Sequence, residues 1–216
     1  MGRIVVMNHI TLDGVVQAPG RPDEDTRDGF AHGGWAELST TPDNEAGRAM
    51  GARMAAGGGL AGWLFGRRTY DDLLSRWNAT PESPFGRMLN DARKWVVTSD
   101  PGPLPWPNST ALGGVDAVRE LKGDTEGVLG VMGSGVLLAS LIAADLVDEY
   151  LLMIHPLVLG SGRRLFPDGQ RIPLHLVEST PAPSGLLIAQ YEPTRVPVSD
   201  TEPARHVRLP REERGN

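Results

Sequence analysis

Three short stretches carry residue types suited to holding phosphate. Gly133-Ser134-Gly135 follows the apolar run 128–132 and precedes the helix-spaced Val136, Leu137, Leu141 and Ile142. Glycines let backbone approach an anion closely, and the unpaired N–H groups at a helix start attract it. Gly66-Arg67-Arg68-Thr69 has the same layout of strand-like run, glycine and helix start. Two guanidiniums beside such a turn suit a 2′-phosphate, because each can grip phosphate oxygens with two parallel N–H groups. Thr98 and Ser99 close a third run and add two hydroxyls. At the carboxyl end of a strand in an open α/β sheet, hydroxyls face the ligand crevice. Singly, each stretch also reads as an ordinary turn: Leu138 stands where a G-x-G-x-x-G fingerprint needs its third glycine. Together they suit one dinucleotide.

The elements that must position these stretches follow from periodicity. Alternating or β-branched apolar runs predict strands at 3–10, 60–65, 95–99, 109–112, 128–132, 147–155, 173–179 and 185–192. Phe85, Met88, Leu89 and Ala92 have helical spacing, with Ser83 as a candidate N-cap ahead of Pro84. Further helices are expected at Val115 to Leu121, after Gly135, and from behind Pro42 through Met50 and Met54 to Gly57-Gly58-Gly59. Strands alternating with helices favour a mostly parallel sheet covered on both faces. The last two strands lack a helix between them, so an antiparallel edge is expected, connected through Pro181 to Gly185. Residues 14–42 form one long irregular stretch, a length usual for a functional loop. Residues 1–194 read as one domain, and 195–216 as a poorly ordered tail rich in Pro, Arg and Glu.

Composition narrows the function classes. The formal charge of −6 disfavours nucleic acid and anionic membranes as partners. No apolar run approaches the ~20 residues of a membrane span, and the first residues do not form a signal peptide. The absence of cysteine excludes disulfides, thiolate chemistry and cysteine-ligated zinc, and fits a cytoplasmic protein without a metal site.

The ordered series Thr11-Leu12-Asp13-Gly14, Gly66 to Tyr70, Thr98 to Asp100, Met132 to Gly135, Leu146 to Glu149 and His155 to Phe166 resembles the dihydrofolate reductase-like superfamily. Its closer match is the branch related to the C-terminal reductase domain of the bifunctional riboflavin-biosynthesis deaminase/reductase. The resemblance covers roughly residues 1–193 and implies an NADPH-binding α/β sheet of eight strands with helices on both faces, commonly in a homodimer. By position, Gly66, Arg67, Arg68 and Thr69 resemble the segment contacting the pyrophosphate and 2′-phosphate. Thr98 and Ser99 resemble the adenosine side, and Gly133, Ser134, Gly135, Val136 and Leu137 the pyrophosphate turn. Asp13 and Gly14 resemble the turn opening the loop over the nicotinamide. Asp43 is the nearest counterpart of the substrate-binding carboxylate. The loop from Val15 to Pro42 is longer than in the folate enzymes, and the deaminase motif is absent.

The expected activity is hydride transfer from NADPH to a small heterocycle of pterin, folate or ribosylaminopyrimidine type. Asp43, Asp13 and Trp35 are the candidate catalytic residues, Trp35 through stacking on the substrate. His32 reads as exposed loop and His155 as structural. The rival reading is a dinucleotide-binding sensor or scaffold without turnover; a flavin-handling protein is a third.

Overall fold

The computed structural model describes residues 1–36, 45–56, 58–77, 84–100 and 102–194. Along the chain run β1 (Arg3–Thr11), α1 (Glu45–Ala55), β2 (Leu60–Gly66), α2 (Arg67–Trp77), α3 (Pro84–Asp91), β3 (Lys94–Val97), β4 (Ser109–Leu112), α4 (Val115–Asp124), β5 (Val128–Val131), α5 (Gly135–Ala143), β6 (Glu149–His155), β7 (Leu174–Pro181) and β8 (Leu187–Pro193). The strands form one eight-stranded sheet in the order β4-β3-β2-β5-β1-β6-β8-β7. Neighbours from β4 to β6 pair in parallel, while β8 lies antiparallel to both β6 and β7. This is the expected mostly parallel sheet with an antiparallel C-terminal edge.

Strand β1 shows why the sheet takes this form. Successive side chains point to opposite faces, and a strand covered on both faces is apolar nearly throughout. Ile4, Val6 and Ile10 pack with Val118 of α4 and Leu138 and Leu141 of α5. Val5 and Met7 pack on the other face with Met50 of α1, Tyr70 of α2 and Leu89 of α3. Gly130 of β5 is required by contact, because a Cβ there would sit 2.6 Å from the Trp63 ring. An ion cluster fastens α1 over the sheet: Glu149, fully buried at the start of β6, is held by Arg53 of α1 and by Arg3 of β1 at 3.2 Å.

Strand ends shift by a residue or two from those read off the sequence, and two features bear on the site. Strand β3 stops at Val97, so Thr98 and Ser99 lie in the turn after it. Helix α2 follows Gly66 without a gap, which makes Arg67 and Arg68 its first two residues. Asp43, Ser83 and the tail from 195 onward lie outside the described residues. Among the described residues, no helix is long and apolar enough to cross a membrane, and no group of His, Asp or Glu could hold a metal ion.

Candidate functional site

Strands β2 and β5 are parallel neighbours with Leu64 beside Val131, so the turns after them emerge side by side. Gly133 (φ 64) and Ser134 (φ 61) adopt successive left-handed conformations. At Gly133 a side chain is disfavoured twice, by the left-handed φ and by Thr69 Cγ2, which would lie 3.1 Å from a Cβ. The left-handed turn brings the Ser134 N–H to Thr69 Oγ1 at 3.0 Å, while Ser134 Oγ accepts the Gly66 N–H at 2.8 Å. Gly133 N–H donates to Asn8 Oδ1 of β1 at 2.8 Å. Helices α2 and α5 therefore begin against each other, and both N-termini present unpaired N–H groups and the positive end of a helix dipole.

A cavity of about 420 Å³ opens beside these turns. Its floor includes Met7, Asn8 and His9 of β1, and one wall comes from α2 and the turn 132–136. The opposite wall is the long loop, through Ala18, Glu24 and Asp25 among others. Ion pairs hold that loop against α2: Arg21 reaches Asp72 at 2.5 Å and Asp25 reaches Arg68 at 3.3 Å. Within the loop, Glu24 Oε2 accepts the N–H groups of Gly20 at 2.6 Å and Arg21 at 3.1 Å. Burial raises the Glu24 carboxyl above its ordinary value, whereas the Arg27 guanidinium lowers that of Asp25.

Of the residues singled out from the sequence, Arg68, Thr69, Gly133, Ser134, Gly135 and Val136 line this cavity. Gly66 lies behind them, bonded to Ser134. Leu137 points into the core with 6 % exposure. Arg67 faces the β3 turn, pairing with Asp71 at 2.9 Å and approaching Asp100 at 3.7 Å. In that turn Thr98 Oγ1 accepts the Asp100 N–H at 3.0 Å, and Ser99 is exposed.

Asp13 and Trp35 are engaged elsewhere, and neither lines the cavity. Asp13 accepts the Thr11 hydroxyl at 2.6 Å and the Gly160 N–H at 2.8 Å, tying the turn after β1 to the segment after β6. The Thr11 hydroxyl, with the Gly160 and Leu159 amides, lowers its carboxyl to about 2. Trp35 is 2 % exposed, donates Nε1–H to the Gln17 carbonyl at 2.7 Å, and anchors the loop among Val15, Ala18 and Phe30.

Two residues of the floor were not singled out in advance. Asn8 is 5 % exposed, and serving the Gly133 N–H fixes its carbonyl oxygen; its Nδ2 makes no hydrogen bond among the described residues. A buried donor left unmatched costs about 1–3 kcal/mol, so an acceptor-rich ligand in the crevice would relieve it. His9 bonds to His155 through Nδ1 at 2.8 Å. Burial, reinforced by His155, lowers the His9 pKa to about 4, and burial takes His155 to about 4 as well. The available signal was a polar pair, Asn8-His9, inside an otherwise apolar buried strand. Paired helix N-termini, the unmatched Asn8 donor and Arg68 fit an anionic dinucleotide.

Sheet order, crossover helices and the coupled turns define the class, an α/β protein with the dihydrofolate reductase-like fold. Dihydrofolate reductase from Enterococcus faecalis, complexed with NADP(H) and RAB-propyl, matches with a TM-score of 0.56 at 15% identity over 88% of this chain and 94% of that one. A putative riboflavin biosynthesis protein from a Shewanella species reaches a TM-score of 0.64 at 21% identity, covering 90% of this chain and 100% of that one. A pyrimidine reductase-like protein from Corynebacterium diphtheriae gives 0.56 at 12% identity, over 90% and 92% of the two chains. In sequence, the uncharacterized protein YyaP of Bacillus subtilis is 29% identical over 138 residues, 59% of this chain and 71% of that one. Residues 3–188 match the RibD C-terminal domain, and the chain belongs to that family.

Proposed function

We propose that the protein is an NADPH-dependent reductase that transfers a hydride to a small heterocyclic substrate of pterin, folate or ribosylaminopyrimidine type. The observation that carries this reading is the coupling of the two glycine turns through Ser134, at the rim of the cavity. The pyrophosphate would lie on the helix starts at Thr69 and at Ser134-Gly135, where backbone N–H groups can receive it. Arg68, 60 % exposed in its side chain and paired with Asp25, is placed to turn toward a 2′-phosphate; Arg67, Thr98 and Ser99 would lie on the adenosine side. The cofactor would supply the hydride, and the chain would supply orientation and a cavity with limited water. Asp43, beyond the described residues, remains the proposed substrate carboxylate. A homodimer is part of the reading, supported by the exposed Leu176 and Val177 of the edge strand β7.

The test is NADPH consumption, followed by absorbance, against a panel of dihydropterins, dihydrofolate, aminopyrimidines and simple carbonyl compounds. Consumption with one heterocyclic class is the expected result. Saturable NADPH binding with no consumption across the panel would favour a dinucleotide sensor. No binding at all would remove both readings.

A further inference from the structure

Reduction of a C=N or C=O bond needs a proton as well as a hydride, and the site offers one group suited to deliver it. His9 and His155 sit two register positions apart on the parallel neighbours β1 and β6, where Thr11 pairs with His155. Both therefore face the same side of the sheet, and His9 Nδ1 meets His155 Nε2 at 2.8 Å. His155 is 1 % exposed, with the edge of Trp35 packed on its ring at a centroid distance of 5.2 Å. Trp35 is itself fixed by its bond to the Gln17 carbonyl. The pair thus has a rigid, dry back and one ring, His9, on the floor of the cavity. The Nδ1 bond leaves Nε2 as the ring nitrogen available to that cavity.

The carboxylates lining the cavity are turned onto partners of their own. Asp25 bonds Arg27 and Arg68, Asp72 bonds Arg21, and Glu24 accepts two backbone amides. The arginines of the wall keep their protons at any working pH. A hydrogen bond between two neutral imidazoles obliges one ring to donate. If His155 donates from Nε2, His9 must carry its own proton on Nε2, toward the cavity.

We propose that His9 is the catalytic residue that hands a proton to the substrate's heteroatom, and that His155 is the positioning residue that sets its tautomer. This rests on the reductase reading. As a hydride from the dihydronicotinamide adds to the substrate carbon, the C=N or C=O π pair moves onto nitrogen or oxygen. That atom takes the proton from His9 Nε2. His155 keeps its proton and goes on donating to His9 Nδ1, and water in the cavity returns a proton to His9 Nε2. The nicotinamide ends oxidised and the substrate gains one hydride and one proton.

The first test needs no substrate. Long-range proton–nitrogen NMR spectra of histidine-labelled full-length protein at pH 7 report the tautomer of each ring. His9 protonated on Nε2 and accepting at Nδ1 is the expected result; His9 protonated on Nδ1 would overturn the proposal, because no proton would face the cavity. The second test uses His9→Gln and His155→Phe with the panel compound that the wild type reduces. Turnover should fall at least ~100-fold in His9→Gln, with NADPH affinity within about twofold of wild type. His155→Phe should lower kcat with little change in KM and should mix the His9 tautomers in the NMR spectrum. Unchanged turnover in His9→Gln overturns this proposal alone. A wild type that neither binds nor consumes NADPH overturns the reductase reading and this proposal with it.

Discussion

Ser134 Oγ accepts the Gly66 N–H at 2.8 Å, joining two residues 68 positions apart in the chain. The bond locks the start of α5 against the end of β2, and Ser134 returns its own N–H to Thr69. One serine thus sets the spacing of two helix N-termini. Ser134→Ala removes the acceptor and leaves the part-buried Gly66 N–H unmatched. A loss of about 1 kcal/mol in unfolding free energy is expected, together with weaker NADPH binding. Urea denaturation with and without NADPH separates the two effects.

Gly133→Ala is predicted to be worse. It imposes a Cβ at φ 64 and pushes that Cβ to 3.1 Å from Thr69 Cγ2. The left-handed conformation alone costs roughly 1–2 kcal/mol for an alanine. Displacing Thr69 would also break its bond to Ser134. Denaturation midpoints and NADPH titration should both shift, the second by more than in Ser134→Ala.

Arg68 is held by Asp25 in an exposed pair, a contact worth roughly 0–1 kcal/mol. The guanidinium is therefore easily recruited by a stronger anion. Arg68→Ala should reduce the preference for NADPH over NADH about tenfold, and Asp25→Asn should raise it. Parallel titrations of both nucleotides check this.

The His9–His155 pair makes a pH prediction. Both rings are lowered from 6.5 to about 4 in the folded protein. The unfolded chain takes up these protons near pH 6.5, while the folded chain resists until near pH 4. The stability linked to the pair is thus complete above pH 6.5 and is lost as pH falls from 6.5 toward 4. Asp13 acts lower, between 3.8 and about 2. The fall in Tm between pH 7 and 5 should be shallower in His9→Gln than in wild type.

Glu149 is fully buried between Arg53 and Arg3. Truncating one member of a buried ion cluster typically costs about 3–5 kcal/mol. Glu149→Ala should destabilise the protein within that range by chemical denaturation, the largest loss among these substitutions.

The fold was legible because its signals are local. Runs such as Ile4-Val5-Val6-Met7 cannot be left exposed on either face, and the glycines at 66 and 133 mark where strands must give way to helices. Parallel pairing then places the turns after β3, β2 and β5 side by side, so the three phosphate-type stretches share one edge of the sheet. The rest depends on partners distant in sequence. Periodicity assigns His9 to a face but does not say that His155, 146 residues on, meets it. Asp13 and Trp35 have types suited to a site, yet their partners at Gly160 and Gln17 commit them to holding the loop. The loop wall, made by Arg21 with Asp72 and Asp25 with Arg68, rests on pairs more than 40 residues apart.

The proposed grip of the Gly66–Thr69 and Gly133–Gly135 turns on one dinucleotide underlies the reductase reading. It is tested most directly by calorimetric titration of NADPH into wild type and Gly133→Ala, with NADH in parallel. Saturable one-to-one binding to wild type is expected, tighter for NADPH than for NADH, and markedly weakened by Gly133→Ala. Undetectable binding at millimolar NADPH, or binding that Gly133→Ala leaves unchanged, would contradict it.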